Sequence, residues 1–539
     1  MSRPPVAAAH AGPPTESPPL GIWIGFVAMM VGNFMAILDI QIVASSISSI
    51  QAGVSASRDE ISWVQTAYLI AEVIGIPLSG FLGRALGTRI LFCISSLAFS
   101  ISSLLCAFSW DISSLIVFRA LQGFSGAAMI PTTMATLYLI FPVRQQPMAG
   151  AMIGMVATLA PSIGPTLGGY VSETLGWRAL FWINLAPGLI VTAIIWRYLK
   201  IGSGNFDLLK KIDVSGLIGL ALFLGAAEYV LEEGPTNDWF ADSEIFFWAV
   251  VSAVGACIFF WRAFASETPV VDLRPFKTPT FAIGATLAFV LGLGLFSSIF
   301  LTPLFLGSVR GYNALQIGHT MFVQGAVMFL GAPIFGRLGR TLQDTRPLGA
   351  IGFILVTISC WLQSQLTAEA GFWQFAWPQM FRGLGLMMTF TSVMQPALQS
   401  LPPQHVHSGA GLFNTIRNIG GAFGIAFMST LQGHAFALHR QELYTALDPQ
   451  NPHVQQMMQG MQAYLTQFNA PDPARQSLLY YSQILDREAL VMTFNDEFLF
   501  LAILSLVSMV GIIFLKRPRV APKPQASSGS APALAMDSH

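Results

Sequence analysis

The sequence predicts an all-α membrane protein of fourteen transmembrane helices, arranged as two six-helix bundles with a two-helix insertion between them. Three observations predict it. Of 539 residues, 53% are hydrophobic and 10% charged, whereas a soluble domain carries about 25% charged residues. Apolar runs long enough to cross a bilayer, for which ~20 residues suffice, recur along the chain. A stretch of the first bundle also returns in the second.

A window of about 19 residues places the first six spans near 22–48, 61–82, 90–109, 112–141, 147–172 and 178–199. Two more fall near 214–232 and 244–264, and the last six near 280–307, 315–336, 347–366, 372–400, 408–436 and 494–515. The domain plan is a first bundle over 21–200, a linker with the inserted pair over 201–279, and a second bundle over 280–516. The first twenty residues, rich in Pro, Ala and Ser, have no cationic segment leading into a short apolar core. They read as a disordered cytoplasmic tail rather than a secretory signal, and 517–539 reads as a second such tail.

Orientation follows from the cations. With the amino terminus inside, eighteen of the 27 Lys and Arg fall in inner segments, six in outer segments and three within spans. The positive-inside rule therefore puts both termini in the cytoplasm. The segment 437–493, rich in Gln and Met and partly helical in pattern, becomes extracytoplasmic. Net charge is zero, so nothing calls for a nucleic-acid partner. Cys93, Cys106, Cys257 and Cys360 all lie in apolar runs without CxxC spacing and read as small core residues, not disulfide or metal ligands.

The repeat is local and specific. Gly75-Ile-Pro-Leu-Ser-Gly-Phe-Leu-Gly-Arg-Ala-Leu of span 2 returns 256 residues later as Gly331-Ala-Pro-Ile-Phe-Gly-Arg-Leu-Gly-Arg-Thr-Leu of span 10. Gly164 and Gly168 of span 5 meet Gly420 and Gly424 of span 13 at the same offset, and Phe118-Arg119 of span 4 has a counterpart in Phe381-Arg382 of span 12. Parallel repeats of six spans are the plan of transporters that rock two halves about a central site.

Within this plan the intramembrane charges stand out. Arg119 is the single charge in the run 112–141. An arginine near mid-membrane costs roughly 2.5–3.5 kcal/mol and marks a partner or a wet pathway. Asp39, toward the outer end of span 1, lies at similar depth. Two readings stand: a static ion pair that locks helices together, or a pair whose acid takes up a proton from outside and frees the arginine. Glu72, near the middle of span 2, is a proton or cationic-substrate site, or else a helix-to-helix hydrogen-bonding group. Glu228 in span 7 lies just inside the acidic pair Glu232-Glu233 and reaches either the cavity or the interface. Arg417 and Asn414 in span 13 complete a candidate substrate cavity, while Arg382 and Arg417 have no acid in their own spans. His319, His405 and His407 near span ends read as interface residues rather than metal ligands.

Two stretches read as conformational devices. Gly80 to Arg89 forms the predicted inner loop between spans 2 and 3, with Arg84 and Arg89 placed to cap helices or pair with acids on the facing half. In span 5, Pro161 and Pro165 bend the helix, and Gly164, Gly168 and Gly169 allow another helix to lie close, as suits a sliding seal. Abundant Phe (41) and Met (22) supply a greasy, adaptable pocket.

These residues resemble the fourteen-span drug:proton antiporter branch of the major facilitator superfamily, in particular its multidrug-resistance protein B type of inner-membrane pump, from about Gly21 to Pro518. Gly80 to Arg89 resembles the superfamily's loop 2–3 motif, and Arg119 with Gln122-Gly123 its span 4 motif associated with proton coupling. Gly164-Pro165 with Gly168-Gly169 resembles the span 5 motif of exporters, and Asp39 the span 1 acid. Two places depart: Gly83 stands where the loop motif usually has an aspartate, and Ser45-Ser46 where span 1 usually has an asparagine. The resemblance implies a bacterial inner-membrane exporter of lipophilic or amphipathic toxic compounds, driven by the proton gradient with no cofactor. It also implies work with a periplasmic adaptor and an outer-membrane channel. Asp39, Glu72 and Arg119 are the expected proton-coupling residues. An exporter of one endogenous metabolite, such as a fatty acid or siderophore, is the alternative within transport, and a non-transporting structural or sensory membrane protein the alternative outside it. No nucleophile-base set, metal spacing or phosphate loop supports an enzyme.

Overall fold

The computed structural model describes residues 18–142, 145–201, 204–266, 268–341, 344–446, 452–467 and 471–515. Most of the expected amino-terminal tail and all of the expected 517–539 tail lie outside the described residues. The described residues form helices joined by short turns, with no strand. In chain order the first half contains α1 (Leu20–Ser45), α2 (Ile47–Val54), α3 (Arg58–Leu86), α4 (Thr88–Ala107), α5 (Ile112–Gly126), α6 (Met129–Ile140), α7 (Gln146–Thr174), α8 (Ala179–Trp182) and α9 (Leu185–Tyr198). Then come α10 (Val214–Glu233) and α11 (Ser243–Ala265). The remainder is α12 (Pro279–Ser308), α13 (Ala314–Thr341), α14 (Arg346–Gln363), α15 (Phe372–Gln399), α16 (Val406–Ala446), α17 (Pro452–Gln467) and α18 (Pro473–Gly511).

All fourteen predicted segments fall on helices. Ten helical segments are long and apolar enough to cross a membrane, and an eleventh qualifies if the bent α7 is one span. Helices α13, α15 and α16 are not in that set. They carry polar side chains, among them Gln324, Gln379, Arg382, Asn414 and Arg417, which are buried inside the protein rather than turned to lipid. Such a helix depends on its neighbours for burial, and hydropathy alone understates it.

Local chemistry sets several helix starts. Ser57 accepts from the Glu60 backbone N–H, and the Glu60 carboxylate accepts from the Ser57 N–H, a reciprocal cap on α3. Asp111 accepts from the Ser114 N–H at 2.8 Å and starts α5; the Ser114 donors hold its carboxyl below the usual carboxylate range. The predicted loop from Gly80 to Arg89 is mostly helix: α3 runs through Leu86 and α4 begins at Thr88. Gly87 alone makes the turn, with φ +79°, a backbone conformation that glycine adopts without steric cost. Cys257 departs from expectation, since it is exposed on α11 while the other three cysteines are buried.

Helix pairing repeats between the halves. In the first, α1 packs on α7, and α5 on both α3 and α4; in the second, α12 packs on α16, and α15 on both α13 and α14. The halves meet along two seams, α7 against α13 and α3 against α16. Helices α10 and α11 pack on each other, and α10 also lies against α3 and α16. Among the described residues, the 437–493 segment consists largely of the last turns of α16, the first turns of α18, and α17 packed on α18.

Candidate functional site

Five helices converge on Arg119. Its side chain has no exposed surface, and its Nη1 lies 2.6 Å from Asp39 Oδ2 on α1. Nη1 also donates to Gln122 Oε1 one turn along α5 at 2.8 Å, and Nε donates to the Val64 carbonyl of α3 at 3.2 Å. The guanidinium sits over the Tyr68 ring at 4.3 Å, a cation–π contact that offsets desolvation. Asp39 in turn accepts at Oδ1 from Gln122 Nε2 (3.1 Å) and Asn184 Nδ2 (2.6 Å). Asn184 also donates to Ser103 Oγ of α4, whose hydroxyl donates to the Phe181 carbonyl at 2.8 Å. The acid thus has three donors, and the arginine three acceptors; its Nη2 has no hydrogen-bond partner among the described residues. Such satisfaction is what a buried ion pair needs to persist.

A matching constellation lies in the second half, built without an acid. Arg382 on α15 is also fully buried; its Nε donates to Gln324 Oε1 at 2.9 Å, Nη1 and Nη2 to Thr302 Oγ1 at 3.3 Å, and Nη2 also to Gln379. Thr302 precedes Arg382 by the same 80 residues that separate Asp39 from Arg119. The repeat therefore keeps the cation and replaces its carboxylate by a hydroxyl. Among the described residues, the acceptors that Arg382 donates to are all neutral hydroxyl and amide oxygens.

The remaining charge candidates gather on the other seam. Glu72 (α3) and Arg417 (α16) are both buried and interact electrostatically where these helices pack. Arg417 donates from Nη2 to Asn418 Oδ1 at 3.2 Å, and its Nε is buried without an acceptor among the described residues. Asn414, one turn earlier, donates to the Ala410 carbonyl at 3.0 Å and leaves its own Oδ1 buried without a donor there. Glu228 is buried rather than turned to the interface, and it interacts electrostatically with Glu72. Polar groups with unspent hydrogen-bonding capacity thus collect where α3, α10 and α16 meet.

The two conformational motifs take up opposite ends of the seams. On α7, a Cβ at Gly164 would stand 2.3 Å from Gln41 Cβ, and one at Gly168 would stand 2.3 Å from Ser45 Oγ and 2.7 Å from the Ile42 carbonyl. Only glycine lets α1 and α7 lie this close. Gly424 repeats the arrangement against Leu293 and Ser297 of α12. Pro165 and Gly169 are half-buried on the same helix, and α7 bends by 40° between 148–161 and 163–174. At the end of α3, a Cβ at Gly80 would meet Ser408 Cα at 3.0 Å, and one at Gly83 would meet His407 Nδ1 at 2.9 Å. Arg84 Nη1 reaches Asp272 Oδ2 at 3.4 Å, and His405 Nδ1 lies 3.0 Å from the same oxygen. Arg89 pairs with no acid among the described residues and stacks over Trp196 at 4.8 Å.

Three participants were not singled out in the sequence. Asn184 is an amide in an apolar run, Asp272 an acid in the linker before α12, and Glu497 a carboxylate just inside the last predicted span. Asn184 meets Asp39 145 positions away, Asp272 meets His405 133 positions away, and Glu497 has no hydrogen-bond partner among the described residues.

Comparison with known proteins agrees with this architecture. A sequence profile described as Major Facilitator Superfamily matches residues 29–425. The chain is 42% identical over 497 residues to "Colistin resistance protein EmrB" of Acinetobacter baumannii, covering 92% of this chain and 96% of that protein. It is 30% identical over 498 residues to "Multidrug export protein EmrB" of Escherichia coli, covering 91% and 94%. The crystal structure of the human organic anion transporter MFSD10 shares the fold, with a TM-score of 0.56 at 12% identity, covering 91% of this chain and 100% of that one.

Proposed function

The chain belongs to the Major Facilitator Superfamily, with the EmrB-like multidrug pumps, and from that premise we propose that it is a proton-coupled exporter of lipophilic or amphipathic toxic compounds. It is a transporter, not an enzyme. Fourteen spans form two six-helix bundles with α10 and α11 inserted between them, in a bacterial inner membrane with both termini cytoplasmic. The proton gradient supplies the energy, and no cofactor takes part. A periplasmic adaptor meets the outer extensions of α16, α17 and α18 and leads to an outer-membrane channel.

The single observation that carries the mechanism is the fully buried Asp39–Arg119 pair at 2.6 Å. A proton arriving at Asp39 cancels one charge and leaves the other buried without a counterion, a state that costs about 3–5 kcal/mol if nothing moves. Arg119 relieves that cost only by shifting relative to α1. Because α1 lies glycine-close against α7, a displacement there is transmitted to the α7–α13 seam and so to the second half. Substrate binding at the α3–α10–α16 junction, through Glu72, Glu228, Arg417 and Asn414, competes with the same rearrangement. Export follows when proton release on the inner side restores the pair.

Everted vesicles energised to drive dye transport test this reading, with proton flux recorded alongside. Wild type exchanges protons for dye. Asp39→Asn and Arg119→Gln lose the exchange by at least tenfold, about 1.4 kcal/mol of coupling, while Glu72→Gln changes which dyes are carried. Undiminished proton-dye exchange in Asp39→Asn overturns the mechanism.

A further inference from the structure

Glu497 is a buried acid that the transport cycle above leaves unused. It lies on α18 with no exposed surface, and neither of its carboxylate oxygens meets a hydrogen-bond donor among the described residues. Asp39, equally buried, has three donors and a cation. Apolar side chains crowd this part of α18: Phe494, Phe498 and Leu501 join Phe305 and Phe375 in one cluster. An ionised carboxylate in such a place, with neither donor nor counterion, is so poorly solvated that it takes up a proton instead.

The charges nearby are already engaged. Helices α12, α14, α16 and α17 pack against α18. Helix α12 carries no titratable side chain, and α14 carries Arg346 at its start and Cys360. Helix α17 carries Tyr464, and His453, whose side chain lies outside the described residues. Along the outer half of α16, His439 contacts Asp496 at 2.7 Å and Glu442 at 3.3 Å, Arg440 pairs with Asp486 at 2.7 Å, and His434 lies against the Thr430 carbonyl. Tyr444 completes that stretch, with the Arg440 guanidinium over its ring. At the other end of α16, Arg417 and His407 belong to the seam with α3. Arg310, just beyond α12, donates to the Ala368 carbonyl and pairs with Glu369, as does Arg487 of α18, which also approaches Glu488.

One polar group on the facing helix is unspent. Phe427 stacks on Phe500, while His439 and Arg440 meet Asp496 and Asp486. Those antiparallel contacts place Gln432 of α16 opposite the stretch 494–503 of α18, which holds Glu497. The Gln432 amide nitrogen is buried without an acceptor among the described residues. A carboxylate without a donor and a donor without an acceptor, among the described residues, thus lie along the same α16–α18 contact.

We propose that Glu497 is a second proton-binding site. In this conformation one proton is covalently held on its carboxyl oxygen; when α16 and α18 shift, the O–H bond breaks, the proton leaves as hydronium to water, and the Gln432 amide donates to the carboxylate left behind. The exposed Asp496–His439 pair, one residue along, marks the side from which the proton comes. This rests on the proton-coupled export reading.

The test uses the full-length protein in proteoliposomes, with two readouts. In infrared difference spectra between alkaline and acidic pH, carbonyl bands of protonated carboxyls are expected in wild type and in Asp39→Asn, and the component contributed by one buried carboxyl is expected to be missing in Glu497→Gln. In flux measurements, Glu497→Gln is expected to lower protons moved per dye about two-fold, since one of two titrating groups is removed. A band and flux ratio in Glu497→Gln identical to wild type overturn the second site. Full proton-dye exchange in Asp39→Asn instead overturns the coupling reading itself. Should Glu497→Gln fail to insert, Glu497→Asp keeps the acid on a shorter stem and must move the band; an unmoved band overturns the proposal.

Discussion

At the scale of single residues, two arginines in equivalent places have been given different work. Both are fully buried, yet Arg119 faces a carboxylate and Arg382 faces a threonine hydroxyl and two amides. Only the first can have its partner's charge removed by a proton. Asp39→Asn is therefore expected to strand Arg119 and cost about 3–5 kcal/mol of stability, read as a lowered thermal midpoint of the detergent-solubilised protein. Combining Asp39→Asn with Arg119→Met removes both charges. The double variant should recover most of that stability, because apolar replacement of a buried pair is often neutral, while proton-dye exchange stays lost. Arg382→Met gives the contrasting expectation. It disturbs packing and leaves Gln324 and Gln379 without their donor, at about 1–3 kcal/mol, but the pH dependence of exchange measured in vesicles should stay as in wild type.

At the scale of elements, close approach is the quantity that glycine controls. A Cβ at Gly168 would overlap the backbone of α1 at Ile42 and the hydroxyl of Ser45, and backbone cannot move aside as a flexible side-chain tip can. Gly168→Val is expected to push α1 from α7 and cost about 1–3 kcal/mol by overpacking. Because Asp39 rides on α1, the variant should also lower proton coupling, which separates it from a merely destabilising change elsewhere. Gly424 on α16 makes the same contact with α12, where no acid is carried. Gly424→Val should destabilise comparably and leave coupling per folded molecule unchanged, as counted from flux normalised to binding-competent protein.

At the scale of the whole molecule, the two halves and the linker are tied at one node. Asp272, nearly buried, receives Arg84 from the first half and His405 from the second. It sits beside Gly83, a residue that a side chain would drive into His407. The linker thus provides the negative charge that α3 lacks the room to carry. Asp272→Asn is expected to weaken this closure by about 1–2 kcal/mol, enough to shift a two-state population roughly five- to thirty-fold. Distances between spin labels on the ends of α3 and α16 should report it, with wild type enriched in the short distance and the variant in the long one.

Much of this was legible in the chain. Apolar period and length located the helices, because a span must be apolar to be solvated by lipid, and cations within spans marked Arg119, Arg382 and Arg417 because each is costly there. The glycines of α7 announced a close helix, and the repeat announced its counterpart in α16. What the chain left open was set by contacts between distant residues. Hydropathy could not say that Asn184 completes the shell of Asp39, since an amide in an apolar run has no partner until α9 folds beside α1 and α4. Nor could it say that Thr302 fills the place of an acid, that Asp272 stands in for one, or that Glu497 is left with none. Local sequence determined where the polar groups lie, because solvation acts on each segment separately; the tertiary structure alone decided which of them answer one another, because hydrogen bonds and ion pairs form only over a few ångströms of folded distance.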